Sequence, residues 1–82
     1  MDPKRWTKTV TVETAKVGKH RVIASTEEAA RFLLTDWPVE PEPRHLLARV
    51  ACIAVLGGEM PPDHARDAFV AAAEEAGILV RA

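Results

Sequence analysis

The run from Leu46 to Gly57, LLARVACIAVLG, constrains this chain more than any other stretch. A single charge, Arg49, interrupts it, and its apolar side chains go almost all the way round a helix. Leu46, Leu47, Val50, Ile53 and Ala54 form one broad face; Cys52, Val55 and Leu56 form another. A helix that is apolar on every side has to be covered on every side. The run therefore predicts a central, buried helix against which the remaining segments pack.

Chain length limits how that cover is supplied. With 82 residues the chain holds one small domain, residues 1–82, and domains below roughly 80 residues often need a staple or a partner to complete a thin core. Cys52 is the only cysteine, so no intramolecular disulfide can form. His20, His45, His64 and Cys52 are scattered over different segments, unlike the short ligand spacings of a zinc site. No metal or other cofactor is expected, and self-association is the remaining route to extra stability.

Residues 7 to 15, TKTVTVETA, alternate, with Val10 and Val12 in phase with Trp6 and Lys8 and opposed to Thr7, Thr9, Thr11 and Glu13. β-Branched residues at period two predict a strand. HRVIA, His20 to Ala24, predicts a second, and Lys16-Val17-Gly18-Lys19 between them makes a β-hairpin, Gly18 being free to take positive φ. Ser25 with Glu28 three residues on is a capping box, in which the serine oxygen takes the Glu28 amide and the Glu28 carboxylate reaches back to the serine amide.

The first helix is expected from Thr26 to about Asp36, with Ala29, Ala30, Leu33, Leu34 and Trp37 on its inner face, and Trp37-Pro38 ends it. VEPEP is an extended acidic connector. Pro43 or Arg44 starts the central helix and Gly57-Gly58 stops it. Pro61-Pro62-Asp63 opens a third helix that presents Ala65, Ala68, Phe69, Ala72 and Ala76 on one stripe. Gly77 closes it with Ile78 in the Schellman position, and Leu79 and Val80 add packing or a short strand. The fold class is α+β: an N-terminal β-hairpin followed by three α-helices packed around a central apolar helix.

Laid out this way, Trp6 before an alternating strand, RVIAS leading into TEEAARFLLTDWP, LARVACIAVLGGE, and PPDHARDAFVAAAEEAGI resemble the short bacterial proteins of domain of unknown function 982. The resemblance runs from about Trp6 to Ile78. It implies a compact two-strand, three-helix α+β fold and brings no activity, cofactor or catalytic residue with it.

Charge is unevenly placed. Residues 1 to 24 carry Lys4, Arg5, Lys8, Lys16, Lys19 and Arg21 against Asp2 and Glu13, a net +4, and residues 25 to 82 carry five arginines against ten acidic residues, a net −5. A basic β-ribbon can enter a major groove, so weak nucleic-acid binding by the hairpin is the alternative function. The third helix, with Asp63, Asp67, Glu74 and Glu75 against Arg66, would repel phosphates and excludes a helix-turn-helix reading. Lysines on an exposed strand also serve simply to prevent edge-to-edge aggregation.

No phosphate loop, dinucleotide fingerprint, nucleophile elbow or HExxH occurs. Cys52 in an apolar run is a core residue rather than a nucleophile, since such a setting suppresses the thiolate. A core this thin is expected to leave no ligand pocket of ~300 Å³ or more. The N-terminus lacks a signal peptide's hydrophobic run, and the longest uncharged apolar run, Val50 to Leu56, is far short of the roughly 20 residues that span a bilayer. The expected compartment is the cytoplasm, without membrane contact.

These features predict a non-enzymatic interaction module that forms a homodimer. Its candidate interaction surface is Trp6, Lys8, Lys16, Lys19, Arg21 and Trp37, engaged through the hairpin edge, the first helix, or both.

Overall fold

The computed structural model describes residues 5–82, so Lys4 lies outside the described residues. Three antiparallel strands, β1 (Arg5–Glu13), β2 (His20–Ser25) and β3 (Leu79–Arg81), form one sheet in the order β2-β1-β3. The helices are α1 (Thr26–Arg31), which runs on into a π-helical turn at Phe32–Asp36, α2 (Pro43–Leu56) and α3 (Pro62–Ala76).

The hairpin forms where the alternation places it, in the register Val10↔Ile23 to Glu13↔His20. The register shifts between Arg5 and Val10. Trp6 keeps the period of Val10 and Val12 and lies in the core with them, whereas Lys8, formally in phase with all three, is exposed where the ladder is interrupted. The Lys8 carbonyl accepts a hydrogen bond from Arg66 Nε of α3 at 3.0 Å. Gly18 takes φ +79° at the turn.

The hairpin expectation is extended at its free edge. Gly77, at φ +71°, ends α3, and the Ile78 amide donates to the Ala73 carbonyl at 3.0 Å in the Schellman arrangement. The chain then runs directly alongside β1, with Glu13 N donating to Ile78 O at 2.8 Å and Val12 opposite Leu79. β1 is thus the central strand, flanked on both sides.

α1 starts as its capping residues require. The Ser25 hydroxyl accepts from Glu28 N at 3.2 Å, and Glu28 Oε1 accepts from the Ala24 amide at 2.8 Å, one residue before the serine amide that the motif suggests. In the π turn Thr35 Oγ1 donates to the Arg31 carbonyl at 2.7 Å. The wider turn keeps Phe32 and Leu33 buried and leaves Leu34, expected inside, 64% exposed.

α1 and α3 lie against the sheet, and α2 packs chiefly on α3 and α1. The core holds Trp6, Val10, Val12, Ile23, Phe32 and Phe69 together with the small residues Ala48, Cys52, Ala65, Ala72 and Ala73. Phe69 sits at the middle of an aromatic cluster, with ring centroids 5.8 Å from Trp6, 6.1 Å from Phe32 and 6.2 Å from Trp37.

The central-helix expectation is corrected here. α2 buries His45, Ala48, Ala51, Cys52 and Val55 and exposes Leu46, Leu47, Val50 and Ile53 by 56–71%. It is an outer helix with its small residues turned in and its large ones turned out. The cause is close packing: a face made of Ala48, Ala51 and Cys52 lets α2 approach the alanine face of α3, whereas leucines there would hold the two helices apart.

Candidate interaction surface

The six residues singled out in the sequence do not form one surface. Trp6 is 5% exposed, and its indole N–H donates to Thr26 Oγ1 at 3.1 Å inside the core. Lys8 is exposed on β1, beside the register shift. Lys16 and Lys19 are exposed at the turn, whose geometry is fixed by Thr14 Oγ1 donating to the Lys19 carbonyl at 3.0 Å. The remaining two reach inward over the helical side. Arg21 Nη1 lies 3.1 Å from Asp36 Oδ2, and its guanidinium carbon is 5.9 Å from the centroid of the Phe32 ring.

Trp37 is half-buried, edge-on to Phe32 at 5.7 Å and to His45 at 5.0 Å. His45 is itself held by a 2.8 Å contact from Nε2 to the Leu33 carbonyl. Lys16, Arg21 and Trp37 do come together, as part of the lining of a concavity of about 380 Å³ that also includes Phe32, Thr35 and Asp36. The expectation that no hollow of this size exists is therefore corrected. Its cations are partly engaged, however, because Arg21 already has a carboxylate partner.

The two indoles have opposite hydrogen-bonding situations. Trp6 has a partner, whereas the buried Trp37 N–H makes no hydrogen bond. Since losing a made hydrogen bond costs more than removing an unmade one, Trp6→Phe is expected to lower stability by about 1–2 kcal/mol. Trp37→Phe should change it by less than about 1 kcal/mol. Chemical denaturation monitored by circular dichroism measures both.

A larger apolar surface lies on α2, away from these six residues. Leu46, Leu47, Val50 and Ile53 of α2 lie on one side of the helix, and the π turn brings Leu34 alongside. At 100° per residue, Leu46, Val50 and Ile53 fall within 60° of one another. Beside them a groove of about 160 Å³ runs between α1 and α2, lined by Ala30, Leu34, Arg49, Cys52, Ile53 and Leu56. The signal for this surface was legible: α2 and α3 each carry one face of small residues, and two such faces pack together most closely.

Cys52 lies at the groove but is only 1% exposed, and burial pushes its thiol up to about 11. A raised thiol pKa means the fold prefers the protonated form, so its contribution to stability is intact below the unfolded value near 9 and is lost as pH rises toward 11. Denaturation between pH 8 and pH 11 is expected to show a loss on the order of 2 kcal/mol that Cys52→Ala abolishes. Among the described residues there is no group of three or more His, Cys, Asp and Glu side chains that could hold a metal ion. Nor is any helix among them long and apolar enough to cross a membrane.

A family model described as "Protein of unknown function (DUF982)" matches residues 8–80. The chain belongs to the DUF982 family. It is similar to the NMR structure of Agrobacterium tumefaciens protein Atu1219, at 33% sequence identity and a TM-score of 0.77, over 99% of this chain and 80% of that one. No curated protein matches the chain. The DUF982 match and the structural likeness both extend over the π turn and α2, the elements that carry the exposed aliphatic side chains.

Proposed function

We propose that this DUF982 protein is a non-enzymatic interaction module that pairs with a second copy of itself through the outer face of α2. The observation that carries this reading is the inverted helix, which buries alanines and leaves Leu46, Leu47, Val50 and Ile53 in water. Covering a Leu, Ile or Val side chain contributes about 1.5–3 kcal/mol, and contiguous apolar patches of this kind mark interaction sites. The sheet is a weaker candidate for pairing. β1 has neighbours on both sides, and on β2 the Ala24 amide is already taken by Glu28.

The non-enzymatic part rests on Cys52, the one strong nucleophile, which burial holds protonated, the reverse of activation. The nucleic-acid alternative is weakened because Arg21, one of the basic residues of the hairpin, is paired with Asp36. Sedimentation velocity from micromolar to millimolar concentration tests the reading. A mass approaching twice the 9.0 kDa of the chain is expected, and a monomer at every concentration would refute it.

A further inference from the structure

We infer that the two copies meet α2 against α2 about a two-fold axis, with an aliphatic side chain from each stripe entering the groove between α1 and α2 of the other. This rests on the self-association proposed above and specifies its geometry.

The area is sufficient for a pair of this chain. Leu34, Leu46, Leu47, Val50 and Ile53, exposed by 56–71%, each present on the order of 100 Å² of apolar surface. Two copies together therefore offer roughly 1,000 Å², close to the lower end of the ~1,200–2,000 Å² that stable interfaces bury. A second copy also matches the chemistry of the surface. From Leu46 to Leu56 the only charge is Arg49, so there is no pattern of charge to select an acidic or basic partner. An apolar stripe is complementary to itself, as an isologous contact requires.

Arg49 stands at the groove rather than at the centre of the stripe. There its methylene stem can lie on apolar surface while the guanidinium stays in water. The groove is narrow, and its lining of Ala30, Leu34, Cys52, Ile53 and Leu56 is aliphatic apart from the thiol. That lining suits one branched side chain. Directly beside it, the stripe itself supplies such side chains, so each copy carries both the projecting group and the recess that receives it.

Single cysteines placed at Leu46, Leu47, Val50 or Ile53, in a Cys52→Ala background, test the geometry. Near a two-fold axis a residue meets its own copy, so mild oxidation is expected to give an interchain disulfide at one or more α2 positions and none at Val22→Cys on the sheet. A second arm leaves Cys52 in place: Val50→Glu is expected to weaken dimerisation at least about 30-fold, and Val22→Glu to leave it unchanged. A dimer that cross-links through Val22→Cys and tolerates Val50→Glu would overturn the α2 pairing while leaving self-association standing. A chain that is monomeric before any substitution would overturn both.

Discussion

Replacing Ile53 with glutamate is expected to leave the chain folded and make it monomeric. Ile53 is 71% exposed, the highest value among the large apolar residues of α2, and it belongs both to the stripe and to the wall of the groove. In an isolated chain a solvent-facing substitution of this kind changes stability by only about 0.5 kcal/mol. In the pair it would place two carboxylates in an apolar contact, one from each copy, each with only Arg49, four residues earlier on the same helix, as a neighbouring cation. Desolvating a charge costs several kcal/mol even where a partner is near, so the dimer dissociation constant should rise by about two orders of magnitude. Sedimentation equilibrium reads the constant, and circular dichroism confirms that the fold is retained. Unchanged association in Ile53→Glu would remove α2 from the contact.

The second large effect is on folding itself. Phe69→Ala is expected to cost about 3–5 kcal/mol, because the ring is fully buried and touches Trp6, Phe32 and Trp37. An 82-residue chain has about 4–12 kcal/mol of stability in total. The variant should therefore be largely unfolded at physiological temperature, or melt far below the parent in a thermal scan. Phe69→Leu keeps most of the volume and is expected to cost considerably less.

These two sites differ in how clearly the sequence announces them. Phe69 stands on a stripe with Ala65, Ala72 and Ala76 that has one polar and one apolar side, so the direction of burial was readable. The hairpin, the capping serine, the proline starts and the Gly77-Ile78 stop were readable for the same reason: each is a local backbone requirement met by one or two residue types. α2 was harder because both of its sides are apolar. Hydrophobicity alone could not tell which side faces in, and the reading that both are covered followed from treating all apolar residues alike. Side-chain size decides it, since the small face of α2 fits the small face of α3.

Other differences came from long-range geometry. The third strand depends on where α3 delivers the chain relative to β1, which no local pattern encodes. Trp6 and Lys8 share a period but not an environment, because the strand's pairing is irregular between Arg5 and Val10 and Lys8 falls in that interval. Trp37 was identifiable as an aromatic at a helix end, but its neighbours in space, His45 and Phe69, come from other helices.

The position of β3 has a consequence for how the protein is made. Thr11 is paired with Arg81 across 70 positions of chain, so during synthesis the middle strand emerges first and waits for a segment made 70 positions later to reach it. At about 5–20 residues per second of synthesis, that wait lasts several seconds, with one side of β1 lacking its final neighbour. Contacts that span so much of the chain also slow folding relative to a purely helical bundle of the same size. Removing Leu79 to Arg81 would therefore leave the central strand of the sheet as an open edge.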